Sequence, residues 1–157
     1  MAGRKTLPHD PPPWLDPVAE VWFITVCCQP RGINQLADAE LWPFLAESIE
    51  RRNESGTWWV HVFAAMPDHC HALISFPQER VMTKVISEWK RWVATQRNIR
   101  WQTDFFDHRL RHDESFDEKS RYILQNPVRA GLIQNAEDWP FVWLPKAAPP
   151  FTGLHRP

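Results

Sequence analysis

Two histidines in the middle of the chain, His69 and His71, have the spacing of a metal-binding pair. They follow Pro67 and Asp68, a dipeptide typical of tight turns, and the apolar residues after them are too few for a helix. We therefore expect a turn that leads into a buried strand. Both imidazoles would then lie on one face of the strand, with Cys70 on the other, and could share one divalent cation. A pair of polar strand residues that binds no metal fits the same spacing.

A single tyrosine stands out against the other aromatic residues. The chain has ten Trp and nine Phe but one Tyr, Tyr122. Trp or Phe would normally supply aromatic bulk in this composition, so the phenol suggests a chemical role, while a core tyrosine with a bonded hydroxyl is the alternative. Asn126 follows four residues later, on about the same face of the predicted helix, and can offer a carbonyl oxygen to a metal.

Positive charge is concentrated between residues 80 and 111. This segment has eight basic and three acidic residues, although the formal net charge of the whole chain is −1. Its cations alternate with Trp89, Trp92 and Trp101, a mixture that can contact phosphates and stack on bases. A solvated amphipathic helix with its tryptophans in the core explains the same pattern.

Length and composition indicate one globular domain. The chain has 157 residues, of which 43% are hydrophobic, enough for a substantial core. We expect a flexible proline-rich arm over 1–16, a domain over 17–143 and a proline-rich tail over 144–157. There is no signal-peptide pattern or membrane-spanning run, and three cysteines without a Cys-x-x-Cys spacing favour reduced thiols in the cytoplasm.

Hydrophobic periodicity predicts an α+β domain. Strands are expected at 21–28, 57–65, 69–76 and near 105–108, and helices at about 37–52, 81–98 and 117–125. The last helix should stop before Pro127, because the residue preceding a proline is disfavoured in the α conformation. The order resembles a ferredoxin-like split βαβ fold, with four or five antiparallel strands, helices on one face and the histidines on a central strand.

Four motifs resemble, in order and spacing, those of the REP-associated tyrosine transposases of the single-tyrosine HUH transposase superfamily. They are Met66–His71, Trp101–Arg111, Tyr122–Leu132 and Asp138–Pro140. The resemblance extends over about residues 21–141 and implies the same ferredoxin-like fold. One departure follows Pro140, where Phe141-Val142-Trp143 replace the serines that are usual in the family.

The resemblance also implies a chemistry. His69 and His71 match the HUH histidines, Cys70 takes the place of the hydrophobic residue between them, and Tyr122 matches the nucleophile. Asn126 matches the polar residue that helps to bind the metal, which would be Mg²⁺ or Mn²⁺. The implied reaction is cleavage of single-stranded DNA through a 5′-phosphotyrosine intermediate with a free 3′-OH.

The implied partner is single-stranded DNA with a hairpin, as in repetitive extragenic palindromes (REP), bound by a monomer or a homodimer and without a membrane. The expected DNA contacts are Arg97, Arg100, Trp101, Arg109 and Arg111. A non-catalytic hairpin-binding protein derived from such a transposase is an alternative. A histidine-triad hydrolase is disfavoured, because Leu73 stands where that site needs a third histidine.

Overall fold

A five-stranded antiparallel sheet forms the centre of the fold. The computed structural model describes residues 12–16, 19–111 and 115–146. Its strands and helices are β1 (Trp22–Cys27), α1 (Trp42–Glu54), β2 (Trp59–Ala65), β3 (His69–Ser75), α2 (Met82–Arg97), β4 (Phe106–Arg109), α3 (Phe116–Arg129) and β5 (Val142–Trp143). The strand order is β4-β1-β3-β2-β5, which puts the histidine strand β3 in the middle. The predicted α+β class and the central position of the histidine strand are confirmed.

The two faces of the sheet carry different helices. Cys70, Ala72 and Ile74 of β3 belong to a large apolar core that also contains the buried residues of α1 and α2. Leu73 points to the opposite face, where it packs in a second cluster with Ile123 of α3. The expectation that the helices share one face is therefore wrong for α3. Strand β3 is buried along most of its length on both faces, one apolar and one carrying the histidines, so both faces are covered by helices.

Helix α1 starts at Trp42, five residues later than the predicted start at 37. The carboxylate of Asp38 accepts hydrogen bonds from the backbone N–H groups of Glu40, at 2.7 Å, and Leu41, at 3.2 Å. These bonds hold a turn in front of the helix rather than its first turn. Pro43 then occupies the start of the helix, where a missing N–H costs no hydrogen bond.

Helix α3 continues through Pro127 to Arg129, so the predicted end at residue 125 is wrong. Proline lacks an N–H, so the helix loses only the hydrogen bond that this group would donate. The carbonyl groups of Asn126 and Pro127 still accept hydrogen bonds from the backbone N–H groups of Ala130 and Leu132, both at 2.9 Å. The ring of Pro127 is buried, and its packing compensates for the lost bond. Tyr122 and Asn126 therefore lie one turn apart on one continuous helix.

Lys90 of the basic segment is a buried structural residue. Its Nζ donates to the carbonyl oxygens of Gln102, at 2.8 Å, and Thr103, at 3.2 Å, and so fastens the segment before β4 to α2. Burial lowers the pKa of Lys90. Lys90→Met should lower the free energy of unfolding by about 1.5–3 kcal/mol, the usual contribution of hydrogen bonds to a charged group. Chemical denaturation measures this, with the exposed Lys84→Met as control, and equal stability of the two variants would contradict the anchoring role.

The described part of the predicted arm and the last residues of the predicted domain pack on the rest of the fold. Within the described residues 12–16, Leu15 is buried, and the ring of Trp14 meets Trp59 edge to face at 6.5 Å. Towards the other end, β5 pairs with β2, and the indole N–H of Trp139 donates to the carbonyl of Ala65 at 2.9 Å. The rest of the predicted arm and residues 147–157 of the tail lie outside the described residues. No helix in the described ranges is long and apolar enough to cross a membrane.

Candidate active site

His69 and His71 lie side by side on β3, on the face covered by α3. Their ring centroids are 4.8 Å apart and the ring planes meet at 77°. Cys70, between them, is buried in the core on the opposite face. The same-face arrangement expected from the alternation of a strand is therefore present.

A hydrogen bond at Nδ1 fixes each imidazole. His69 Nδ1 is 2.8 Å from the Asp68 carboxylate oxygen Oδ1, and His71 Nδ1 is 2.8 Å from the hydroxyl of Thr25 on β1. When Nδ1 carries the proton, the lone pair of each ring is on Nε2. Both rings are thus held in an orientation that leaves Nε2 for another ligand, as in many metal-binding histidines whose second nitrogen is bound by an oxygen.

The carboxylate that holds His69 is itself held by the loop after β1. Asp68 Oδ2 accepts hydrogen bonds from Arg31 Nε, at 2.9 Å, and from the backbone N–H of Gly32, at 2.8 Å. Partial burial raises the pKa of Asp68, but the bonds from Arg31, His69 and Gly32 outweigh it and leave the pKa well below the usual range. Gly32 has φ +86°, a conformation that residues with a Cβ rarely adopt. This loop therefore has a backbone suited to supporting the carboxylate.

His71 is held in its neutral form. Burial lowers its pKa to about 3, and the positive charges of His69, when protonated, of Arg129 and of Arg31 act in the same direction. Metal ions bind the neutral imidazole, since a protonated ring nitrogen has no lone pair. His71 is therefore available as a ligand at neutral pH without first losing a proton.

Tyr122 is exposed beside the histidine pair. Half of the residue's surface is accessible (50%), so the alternative of a core tyrosine is wrong. Its ring centroid is 6.4 Å from that of His71 and 5.9 Å from that of Phe23 on β1. Tyr122 is 51 residues from His71 and 53 residues from His69 in the chain (122 − 71 and 122 − 69). The three side chains nevertheless lie on one face of the sheet.

Two further residues of α3 follow Tyr122 towards the end of the helix. Asn126 is half-buried, one turn after Tyr122, and the guanidinium carbon of Arg129 is 4.0 Å from the centroid of the Tyr122 ring. Arg129 Nη2 also donates to the carbonyl oxygen of Tyr122 at 2.6 Å. Sequence reasoning missed Arg129 because the helix was expected to end at residue 125. In a helix that continues, the seven-residue spacing from Tyr122 places both side chains on one face.

Within the described residues, no group of three or more His, Cys, Asp or Glu side chains could hold a metal ion. A third protein ligand beside the histidine pair would therefore be of another residue type. Asn126 has such a donor, its amide oxygen, and lies one turn after Tyr122 on α3.

Two of the arginines expected to contact DNA lie on the side of the sheet away from the histidines. The guanidinium carbon of Arg97 is 4.2 Å from the ring centroid of Phe44 on α1, and Arg109 forms a 2.9 Å ion pair with Glu20. Arg109 pairs in register with Trp22, which packs in the α1/α2 core, so both arginines lie on the side away from the histidines. Arg100 and Arg111 are exposed. The backbone N–H and carbonyl of Arg100 bond the side chain of Gln35 and the N–H of Gln29, beside the loop that carries Arg31.

Trp101 is fixed in the edge of the core. Its indole N–H donates to the carbonyl of Lys90 at 3.0 Å, and its ring lies 5.6 Å from that of Trp89. It is half-buried, so a large part of its ring is already in contact with protein.

Phe106 is an exposed aromatic residue that sequence reasoning did not select. Its side chain is 68% accessible on the edge strand β4, and it pairs in register with Thr25, which in turn pairs with His71. Residues paired directly across antiparallel strands point to the same face. Phe106 therefore lies on the histidine face, two strands away from His71.

Known proteins with a similar sequence carry one functional name. No protein-family model matches the chain. Over 126 residues it is 25% identical to the REP-associated tyrosine transposase of Escherichia coli K12, with 76% of this chain and 73% of that protein covered. Over 141 residues it is 25% identical to a putative REP-associated tyrosine transposase of Haemophilus influenzae KW20 Rd, with 77% of each covered. The chain resembles the REP-associated tyrosine transposases.

A solved structure agrees with this resemblance. The structure of a REP-associated tyrosine transposase bound to a REP hairpin matches with a TM-score of 0.68 and 23% sequence identity, and the match covers 79% of this chain and 76% of that one. At this identity the similarity establishes the fold. The resemblance found in the four sequence motifs is thus confirmed, and the five-stranded sheet with its helices is the architecture that it implied.

Proposed function

We propose that this protein cuts single-stranded DNA beside a hairpin and joins itself to the cut strand through Tyr122, in a metal-dependent reaction. The observation that carries the proposal is the exposed ring of the sole tyrosine, 6.4 Å from the ring of His71 in a histidine pair whose Nε2 atoms remain available. The resemblance to REP-associated tyrosine transposases, one of them solved with a REP hairpin, supports the choice of substrate.

The donor set fits a divalent cation. The two imidazoles can present Nε2, and the amide oxygen of Asn126 would be the third ligand. When bound, Mg²⁺ or Mn²⁺ would polarise the scissile phosphodiester and offset the negative charge that grows on it. Asp68 and Thr25 orient the two rings, so little reorganisation would be needed when the ion binds.

The covalent step conserves the phosphodiester bond energy. The Tyr122 oxygen attacks phosphorus, the bond from phosphorus to the 3′ oxygen breaks, and the phenol proton is transferred in net terms to that 3′ oxygen. The products are a 5′-phosphotyrosine and a strand with a free 3′-OH, with no water consumed. The exposure of Tyr122 allows a DNA strand to reach its oxygen without a change in the fold.

A direct assay is available. The protein is incubated with Mn²⁺ and a labelled DNA that has a hairpin next to a single-stranded segment, and the mixture is run on a denaturing gel. The proposal predicts a labelled band at the mass of protein plus DNA, with a free 3′-OH on the released strand. Binding of the hairpin without this band in any metal would leave a DNA-binding role and overturn the catalytic one.

Phe106 should support the bound strand. On the histidine face, an exposed aromatic ring can stack on a base near the cleavage point, and such stacking contributes about 1–3 kcal/mol per base. Phe106→Ala should therefore weaken binding of a single-stranded oligonucleotide by about 5- to 150-fold, as measured by fluorescence anisotropy.

The exposed Trp92 provides the control for Phe106. Trp92 belongs to α2, on the opposite side of the sheet, and is 42% accessible. Trp92→Ala should leave the affinity for the oligonucleotide unchanged. A loss of affinity in Trp92→Ala, with none in Phe106→Ala, would place the DNA on the α1/α2 side of the sheet. That result would contradict binding of the strand on the histidine face.

A further inference from the structure

Arg129 combines two properties that set it apart from the other arginines. It lies against the candidate nucleophile, and it keeps most of its hydrogen-bond donors for a ligand. From these we infer that Arg129 binds a non-bridging oxygen of the scissile phosphate while its guanidinium holds the ring of Tyr122. This inference rests on the proposed function, since it assigns a residue to the phosphate on which Tyr122 acts.

The contacts of Arg129 leave one side of the guanidinium open. Its carbon lies 4.0 Å from the Tyr122 ring centroid, and Nη2 donates to the Tyr122 carbonyl at 2.6 Å. A guanidinium has five N–H donors, so four remain. Among the described residues, no Asp or Glu forms an ion pair with Arg129, in contrast to Arg31 and Arg109. The residue is exposed, so a phosphate in solution can approach those donors.

Helix α3 determines this position. Side chains in a helix lean towards its N-terminus, so Arg129 extends back towards the preceding turns and reaches Tyr122, seven residues earlier. Pro127 has no N–H to offer to the carbonyl of Ile123, which weakens the helical bonding in this turn. The carbonyl of Tyr122, next to it, accepts from Arg129. A helix that ended before Pro127 would have carried Arg129 away from the phenol.

The chemistry of the step requires such a cation. As the Tyr122 oxygen bonds to phosphorus and the 3′ oxygen departs, negative charge is spread over the non-bridging oxygens. A planar guanidinium can donate two parallel hydrogen bonds to such oxygens, and its charge does not depend on pH in the physiological range. Because Arg129 also packs on the Tyr122 ring, the contact would place the phosphorus and the attacking oxygen next to each other.

A role confined to holding the Tyr122 ring is the main alternative, and a charge-deleted substrate separates the two. In a methylphosphonate, one non-bridging oxygen of the scissile phosphate is replaced by a methyl group, which removes the negative charge. Single-turnover adduct formation at saturating Mn²⁺ is measured for the parent and for Arg129→Gln on both DNAs. Arg51→Gln is the matched control, since Arg51 is exposed on α1 on the far side of the sheet and pairs with Glu47.

Arg129→Gln should slow adduct formation on ordinary DNA by about 100-fold, the usual effect of removing a donor to a developing oxyanion. On the methylphosphonate, the variant should lose much less than 100-fold relative to the parent, because the charge that Arg129 meets is absent and only its contact with the Tyr122 ring is lost. Arg51→Gln should match the parent on both. An equal loss in Arg129→Gln on the two DNAs would overturn the phosphate contact and leave a positioning role.

A binding experiment tests the contact without the reaction. In EDTA, with Tyr122→Phe as the background to prevent cleavage, the affinity for an oligonucleotide with one central phosphate or methylphosphonate is measured. Arg129→Gln should weaken binding of the phosphate form and leave the methylphosphonate form unchanged, and equal effects on both would overturn the inference. Should Arg129→Gln fold poorly by circular dichroism, Arg129→Lys, which keeps the charge, should retain a preference for the phosphate form. This binding measurement tests the phosphate contact even if the parent forms no adduct. The absence of an adduct would refute the proposed function and not the contact.

Discussion

Tyr122→Phe should abolish the covalent protein–DNA adduct while the fold and the affinity for hairpin DNA stay nearly unchanged. The substitution removes one oxygen from a ring that is 50% accessible, and the contacts of the ring with Phe23 and Arg129 need only its aromatic carbons. Because Tyr122 is the only tyrosine of the chain, no second phenol can replace it. Denaturing gels with labelled DNA, followed by mass spectrometry of the adduct peptide, measure the effect.

The control for Tyr122→Phe is the melting temperature together with the dissociation constant of the hairpin complex. Both should agree with those of the parent, so that loss of adduct cannot be ascribed to unfolding or to lost binding. An adduct that persists in Tyr122→Phe at the parent's rate would show that another group attacks the phosphate and would remove Tyr122 from the mechanism.

Removing either imidazole should have an effect of similar size, in this case on the affinity for the metal. His69→Ala and His71→Ala each delete one of two nitrogen ligands, so calorimetric titration with Mn²⁺ should show affinity reduced below detection, and cleavage should be lost with it. Asp68→Asn should give a smaller loss, about 10- to 100-fold in metal affinity, because it weakens the hydrogen bond that orients His69 without removing a ligand.

His108→Ala is the matched control for metal affinity. His108 is exposed on the edge strand β4 and pairs in register with Phe23, so it lies on the histidine face but two strands away from β3. Its replacement should leave the Mn²⁺ isotherm of the parent unchanged. Undiminished Mn²⁺ affinity in His69→Ala would refute the metal site, and a graded order of parent, Asp68→Asn and His69→Ala would support the orientation of His69 by the carboxylate.

Local periodicity explains what could be predicted from the sequence. Residues two apart in a strand share a face whatever surrounds them, so the common orientation of His69 and His71 follows from the assignment of a strand. The order of strands and helices from Trp22 to Arg109 was predicted because each element has its own apolar period and its own turn residues. The lone tyrosine was selected by composition, which requires no structure.

The surroundings of the site could not be predicted, because they come from distant parts of the chain. Thr25 and His71 are 46 residues apart, and Arg31 and Asp68 are 37 residues apart. Antiparallel pairing of β1 with β3 brings Thr25 opposite His71, and the loop after β1 brings Arg31 to the carboxylate. Neither contact has a local signature, because strand register is determined by the packing of whole faces.

The end of α3 shows a local rule overridden by packing. The residue before a proline is disfavoured in the α conformation, a preference of limited size that the burial of Pro127 outweighs. The four additional residues (129 − 125), about one turn, bring Arg129 over Tyr122, so an error in a helix boundary concealed a candidate catalytic residue. The length of α3 after Tyr122 therefore depended on tertiary contacts.

Composition alone shows that a cationic segment exists, but the fold sets what each cation does. Lys90 is buried and bonded to carbonyl groups, Arg97 lies on Phe44, and Arg109 pairs with Glu20. Charge is a property of composition, but its availability to DNA depends on the face of the sheet and on the partners found there. For the same reason the sequence pointed to two histidines and a tyrosine, while the antiparallel pairing of β1 with β3 and the packing of α3 on the second face made them neighbours.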